Sequence, residues 1–344
     1  MIPFSLQKAS SVGDAIAAAT AGARYIAGGT TLVDLMREEV EQPDRLVDIN
    51  ALPLKRLQAD GDDLVIGALV TMSACAAHPD VKRLQPVISE ALLEGASPQL
   101  RNLATMGGNL LQRTRCPYFR MLDAGCNKRT PDSGCSAMDG YNGNHAVLGT
   151  SSHCLATHAS DVAVALVALD ATMQVLGPNG ERTFPVEDLF RLPGTTPHLE
   201  HTLQPGELIT AIRVPGGRDA RRARYLKVRD RSSYEFAVVS AAALLDLENG
   251  VIREARIACD WGLADAHAAD EAALEAAVSE FVAPMLRQTP LALRACTQQA
   301  RALRRGLGYD ERRAIEQRNF VDTWVHADHW AAVDRFLGRK EGKA

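Results

Sequence analysis

The stretch from Cys116 to Cys154 constrains this chain more than any other part of its sequence. It holds four of the seven cysteines in 344 residues, with the spacing C-x9-C-x8-C-x18-C. Glycines and prolines interrupt helix and strand patterns along the stretch. The sequence therefore predicts a long irregular loop, in which widely spaced thiols can converge on one ligand. The four cysteines are Cys116, Cys126, Cys135 and Cys154.

The residues alone leave three interpretations of these cysteines open. Seven cysteines are too few for a disulfide scaffold, and zinc and ferredoxin sites usually use tight C-x2–4-C pairs. An iron–sulfur cluster is favoured, and the alternatives are a zinc site or thiols that are unligated or disulfide-bonded. Five basic residues would offset the negative charge of a thiolate-ligated cluster, and two histidines are candidate substitute ligands: Arg113, Arg115, Arg120, Lys128 and Arg129, with His145 and His153.

Strand and helix patterns alternate along the first 257 residues, which indicates an α+β fold. We expect an N-terminal lobe at 1–55 and a second lobe at 56–180 that carries the cysteine-rich loop 112–155. A further domain would begin at 181–257, and the Ala-, Arg- and Glu-rich stretch 258–344 would form a helical tail. Helices are expected at 10–20, 72–77, 86–95 and 161–169, and strands at 24–27, 45–50, 64–67, 171–177 and 208–214.

Two glycine turns are candidate ligand contacts. Gly28-Gly29 lies between a strand and a helix, where backbone N–H groups can bind a diphosphate. Gly107-Gly108 follows Thr105 and precedes Asn109, whose side chains could bond phosphate or ribose oxygens. Neither turn has the G-x-G-x-x-G pattern of a Rossmann site, and taken alone such a pair of glycines is more often simply a tight turn.

Charge and hydropathy exclude several classes of partner. The net charge of −4 provides no basic excess for nucleic acid. The apolar runs at 162–169 and 236–245 are too short to insert into a membrane. The first residues have no basic region followed by an apolar run, so we expect synthesis in the cytoplasm without a signal peptide. Periplasmic export would then require folded co-export with a partner that bears the signal.

Five segments, in order, resemble the FAD-binding subunit of the xanthine dehydrogenase family of molybdenum hydroxylases. They begin at Tyr25, Val65, Ala104, Leu203 and Tyr225 and together span about residues 1–257. The resemblance implies a two-lobed FAD-binding fold of the PCMH-like type. Within the family, the cysteine-rich segments are most similar to the aldehyde oxidoreductase flavin subunits, whose extra loop holds a [4Fe-4S] cluster.

The resemblance also implies a role for individual residues. Ala27, Gly28, Gly29, Thr30, Thr31 and Leu32 would wrap the FAD diphosphate, and Thr105, Gly108 and Asn109 would form a second contact. Ser160 and Asp161 would lie near the ribityl chain and ribose, although Ala159 replaces the family's usual proline. Leu208 and Lys227 would line the flavin ring. Cys116, Cys126, Cys135 and Cys154 would hold the [4Fe-4S] cluster.

The implied function is electron transfer within a larger enzyme. A partner subunit with a molybdenum cofactor would oxidise an aldehyde or purine, and a partner with [2Fe-2S] clusters would relay the electrons to FAD. The flavin would then pass them to an external acceptor. No catalytic residue is expected in this chain. The alternatives are a stand-alone FAD-dependent oxidase and a zinc-stabilised binding module.

The resemblance stops after Ile257. The remaining residues resemble the C-terminal helices of an enoyl-CoA hydratase (crotonase-like) protein at Trp261-Gly-Leu, Thr289-Pro-Leu-Ala-Leu-Arg and Trp330 onward. The resemblance does not include the half of a crotonase-like protein that supplies the oxyanion hole, so hydratase activity is not implied. The sequence thus predicts a chimeric chain with an atypical helical tail.

Overall fold

A computed structural model describes residues 1–143, 145–146, 149–217, 223–231, 234–248, 251–260, 266–267, 311 and 314–315. The chain divides into two units, Met1–Asp270 and Glu271–Ala344. The elements and cavities considered below belong to the first unit. Of the predicted crotonase-like tail, all but a few residues lie outside the described part of the chain, so that prediction is not tested.

The N-terminal lobe is a small parallel sheet with two helices. Its strands β1 (Ser5–Lys8), β2 (Arg24–Ile26) and β3 (Arg45–Asp48) lie in the order β1-β3-β2, and its helices are α1 (Val12–Thr20) and α2 (Leu32–Arg37). The Ser11 hydroxyl caps α1 by accepting a hydrogen bond from the Asp14 N–H, which satisfies a donor that the helix itself leaves unpaired. The predicted helix at 10–20 and the strands at 24–27 and 45–50 are confirmed.

The second lobe is built on a five-stranded antiparallel sheet. Its strands are β4 (Leu57–Asp60), β5 (Asp63–Gly67), β6 (Thr172–Gly177), β7 (Gly180–Pro185) and β8 (Leu208–Val214), in the order β4-β5-β8-β6-β7. Between β5 and β6 the chain forms α3 (Met72–Ala77), α4 (Pro79–Leu84), α5 (Pro86–Glu94), α6 (Pro98–Arg101), α7 (Met106–Leu110), α8 (Pro117–Arg120) and α9 (Asp161–Ala168). Apolar residues of this sheet and of α3, α5 and α9 form one core.

The strand pairing in this sheet disagrees with one domain boundary that the sequence suggested. A boundary at residue 180 would cut the hairpin of β6 and β7, which pair from Thr172 with Pro185 to Gly177 with Gly180. It would also separate β8 from its two neighbours, β5 and β6. The second lobe therefore continues to the end of β8, because β8 fills the centre of its sheet.

A four-stranded antiparallel sheet follows. Its strands are β9 (Arg224–Val228), β10 (Val239–Glu248), β11 (Val251–Asp260) and β12 (Ala266–His267), in the order β12-β11-β10-β9. Ala242, Leu244 and Ala258 of this sheet belong to the same buried core as α9. Strand β11 runs to Asp260, so the chain is still extended beyond residue 258, where a helical tail was expected to begin.

No helix within the described residues is long and apolar enough to cross a membrane.

Two adjacent leucines of α5 differ in exposure, and their substitution tests which face of the helix packs in the core. Leu92 is 0% exposed and Leu93 is 56% exposed. We expect Leu92→Ala to lower the free energy of unfolding by about 2–5 kcal/mol, because it removes buried methyl groups and leaves a cavity. Leu93→Ala, the matched control, should change it by at most about 0.5 kcal/mol. Urea denaturation followed by circular dichroism measures both, and equal effects would contradict the assigned face of α5.

Candidate functional site

A cavity of about 340 Å³ lies where the N-terminal lobe meets the second lobe. Its wall is formed by residues 24–32, the turn that follows Leu103, and residues 203–209, which lead into β8. The volume falls in the usual range for small-molecule sites. This main cavity brings together most of the predicted cofactor contacts: Ala27, Gly28, Gly29, Thr30, Thr31, Leu32, Thr105, Gly108 and Leu208.

The first glycine turn touches the second one directly. A Cβ atom on Gly28 would lie 1.9 Å from the backbone oxygen of Leu103, so no other residue fits at this position without moving the backbone. Gly29 has a φ of +70°, which favours glycine. The backbone N–H groups of residues 28–32 donate no hydrogen bond within the described part of the chain. The turn therefore offers a row of unpaired N–H donors, which suits an anionic ligand.

The second glycine turn is held in place by β5 and by its own cap. The Met106 and Gly107 N–H groups donate to the backbone oxygens of Val70 and Ala68, just beyond β5. The buried Thr105 hydroxyl caps α7 by accepting from the Gly108 N–H at 3.2 Å. These bonds fix the turn against the sheet, so its backbone forms a rigid part of the cavity wall.

Four predicted contacts do not line the main cavity. Asn109, Ser160, Asp161 and Lys227 instead bond to buried partners close to α9. The Ser160 hydroxyl donates to the Asn109 side-chain oxygen at 2.5 Å and accepts from the Ala163 N–H at 3.1 Å, which caps α9. Burial explains this pairing, because an unbonded polar group away from water is costly.

Asp161 and Lys227 form a buried ion pair between α9 and β9. The Lys227 ammonium lies 2.9 Å from an Asp161 oxygen, and its side chain is only 1% exposed. It also donates to the backbone oxygen of Glu94 at 3.1 Å, and the Tyr225 hydroxyl donates to Asp161 at 2.6 Å. Both charges are thus compensated within the protein.

The four cysteines of the central loop line a second, much smaller cavity. Cys116, Cys126, Cys135 and Cys154 share it with His145, His153 and Lys128. The backbone of Cys126 bridges that of Cys135, and the Cys126 N–H donates to the Ser133 hydroxyl. The predicted convergence of the thiols is therefore present. Burial raises the pKa of the Cys116 thiol to about 11 and raises that of Cys154, which Lys128 partly opposes.

The room in this cysteine cavity is limited. Its volume is about 10 Å³, which accommodates about one water molecule. Among the described residues, no three His, Cys, Asp or Glu side chains are grouped so that they could hold a metal ion. An inorganic cluster would need the thiols and their loop to move apart.

A partly buried network of charges lies between the two cavities. The Arg113 guanidinium binds Glu41 and Glu200 and lies 4.5 Å from the centre of the Phe119 ring. Lys128 reaches the other Glu200 oxygen at 3.0 Å. Burial raises the pKa of Glu200, but these two cations outweigh it, so the net direction is downward. The sequence singled out Arg113 and Lys128 as cations and missed both carboxylates, which lie 72 and 87 residues from Arg113.

Comparison with known proteins identifies relatives of the chain. The family described as "FAD binding domain in molybdopterin dehydrogenase" matches residues 2–217. The aldehyde oxidoreductase FAD-binding subunit PaoB of Escherichia coli K12 is 52% identical over 229 residues, which cover 65% of this chain and 71% of that protein. The carbon monoxide dehydrogenase medium chain of Afipia carboxidovorans is 28% identical over 256 residues, or 73% and 72% of the two chains.

Solved structures show the same fold. A chain of the reconstituted CO dehydrogenase from Oligotropha carboxidovorans superimposes with a TM-score of 0.59 at 26% identity, covering 81% of this chain and 87% of that one. A chain of the carbon monoxide dehydrogenase from Hydrogenophaga pseudoflava gives 0.60 at 25% identity, covering 82% and 88%. The expected two-lobed fold class is confirmed.

Gly28 provides a direct test of the main cavity. We expect Gly28→Ala to weaken FAD binding at least about tenfold, since the new methyl group must push the two glycine turns apart and each 1.4 kcal/mol lost is tenfold in affinity. Gly13→Ala is the control, because a Cβ there meets only the Ser11 hydroxyl, at 3.9 Å. FAD content after purification and titration of the apoprotein with FAD measure the effect. Normal FAD affinity in Gly28→Ala would show that the ligand lies elsewhere.

Proposed function

This chain belongs to the family of FAD binding domains in molybdopterin dehydrogenases, and we propose that it serves as the FAD-binding electron-transfer subunit of a molybdenum hydroxylase that oxidises aldehydes. The observation that carries the proposal is the main cavity, where two glycine turns touch and the first of them presents unpaired N–H donors. The aldehyde is proposed from the 52% identity with an aldehyde oxidoreductase subunit.

The residues of the main cavity fit FAD. The unpaired N–H groups of residues 28–32 would bind the diphosphate, and the absence of a side chain at Gly28 lets the turn close on Leu103. Thr105 would hold the second turn, and Leu208 would supply apolar contact. Bound FAD supplies the two-electron redox chemistry of such a subunit. The proposed contacts of Ser160, Asp161 and Lys227 with the ribityl chain and flavin ring stay a prediction, since these groups already bond to one another or to Asn109.

Partner subunits complete the proposal. One would carry the molybdenum cofactor and oxidise the substrate, and another would carry [2Fe-2S] clusters. The chain itself positions its cofactor and excludes water from it, so it needs no acid–base pair of its own. A stand-alone flavin oxidase is the competing function, and it differs in one property: it would turn over substrate without partners.

We also propose that Cys116, Cys126, Cys135 and Cys154 hold a [4Fe-4S] cluster. Their convergence on one cavity supplies the donor set, because such clusters are bound by four cysteine thiolates. Among the described residues of the loop, the short helix α8 is the one regular element, and this irregular backbone would allow the thiols to rotate outward around a group larger than the present cavity.

Analysis of bound cofactors tests both parts. We expect anaerobically purified protein to contain about one FAD and about four iron and four sulfide per chain, as a cubane cluster requires. The double variant Cys126→Ser/Cys135→Ser should lose the iron and keep the FAD, because no residue lines both cavities. Cys75→Ala is the control, since Cys75 lies in the core of the second lobe.

The other outcomes are equally informative. FAD without iron in the unaltered protein would remove the cluster and leave the flavin subunit. Zinc without FAD would contradict the whole proposal in favour of a zinc-stabilised module. Turnover of an aldehyde by the chain alone, followed by FAD bleaching under anaerobic conditions, would favour the stand-alone oxidase.

A further inference from the structure

Lys128 occupies a distinctive position beside the cysteine cavity. It is the one lysine or arginine among the described residues that line this cavity. Its side chain is only 12% exposed, and its ammonium is held by Glu200 at 3.0 Å and by the backbone oxygen of Pro197 at 3.1 Å. Two anchors in a nearly buried site fix the ammonium in one place. Its charge therefore acts on the cavity from a constant position and with little screening by solvent.

The other cations of the loop are committed elsewhere. The Arg129 guanidinium donates to four backbone oxygens, those of Tyr118, Phe119, Leu122 and Ala124, and so stabilises the loop itself. The Arg113 charge is compensated by two carboxylates. Lys128 shares its carboxylate, that of Glu200, with Arg113. Arg24 also binds Glu41, so three cations share two carboxylates and one positive charge of this network is uncompensated.

Glu200 binds this ammonium, does not itself line the cysteine cavity, and carries the opposite charge. One of its oxygens binds Lys128 and the other binds Arg113, so its position is fixed as well. Reduction of a cluster adds one electron, and a fixed cation favours the more negative state while a fixed anion disfavours it.

We propose that Lys128 and Glu200 are positioning residues that set the reduction potential of the group held by the four cysteines, and that they act with opposite signs. The inference rests on the proposed [4Fe-4S] cluster. The electron that reduces the cluster comes from a partner subunit in the enzyme and from dithionite in the experiment. Both residues act through space and neither is a ligand.

The test is whether two variants shift the midpoint potential of the cluster in opposite directions. The full-length protein is titrated anaerobically with dithionite, and the reduced cluster is followed by electron paramagnetic resonance. Lys128→Met should lower the midpoint potential, with about a tenfold change in the one-electron equilibrium, which equals about 59 mV. Glu200→Gln should raise it by a similar factor. Lys128→Arg, which keeps the charge, should stay near the unaltered protein, as should Lys82→Met, which removes an exposed charge from α4.

Each result has a defined meaning. A purely structural role predicts that both variants lose iron or shift the potential in the same direction, and either result overturns the inference. If Lys128→Met fails to bind iron, the sign of the potential shift in Glu200→Gln decides whether the inference holds. Glu200→Gln leaves every thiol and the Pro197 anchor in place. An unchanged potential in iron-loaded Glu200→Gln also overturns the inference. Absence of iron from the unaltered protein, in contrast, removes the proposed cluster itself.

Discussion

The buried guanidinium of Arg113 is the interaction on which the arrangement of both cavities depends. It joins Glu41, which follows the N-terminal lobe's helix α2, to Glu200, which precedes β8, and it covers the ring of Phe119 in the cysteine loop. Three distant segments thus meet at one side chain. Glu41 also binds Arg24 and Glu200 also binds Lys128, so loss of Arg113 would leave each carboxylate with one cation and remove the contact that joins the three segments.

Apolar packing reinforces the same junction. Leu35 of α2, Phe119 and Cys126 form one small buried cluster, with Cys116 and Val40 against it. The helix α2 begins where the Gly28-Gly29 turn ends, so two of the four cysteines pack on the element that shapes the main cavity. The two candidate sites are therefore separate cavities with a shared wall, and the charged and apolar contacts both run through the loop that bears the cysteines.

The sequence predicted what depends on local chemistry. The helix at 10–20, the short strands and the strand–glycine–helix turn follow from neighbouring residues, and the structure has them where they were expected. It did not predict contacts across long stretches of chain. The Tyr25 hydroxyl bonds the backbone of Gly206, 181 residues away, and β8 enters the sheet between β5 and β6. Nothing in the local pattern of a strand specifies its neighbours, which explains the misplaced boundary at residue 180.

The pair of Asp161 and Lys227 shows why the lobes cannot be considered without the last sheet. The family match ends at residue 217, yet Lys227 of β9 reaches back to neutralise a carboxylate in the first turn of α9 and to bond the end of α5. Ala242, Leu244 and Ala258 of the same sheet complete the core around α9. A buried carboxylate without this lysine would be uncompensated. Strands β9 to β11 are thus part of what keeps the second lobe, and with it the wall of the main cavity, in its folded form.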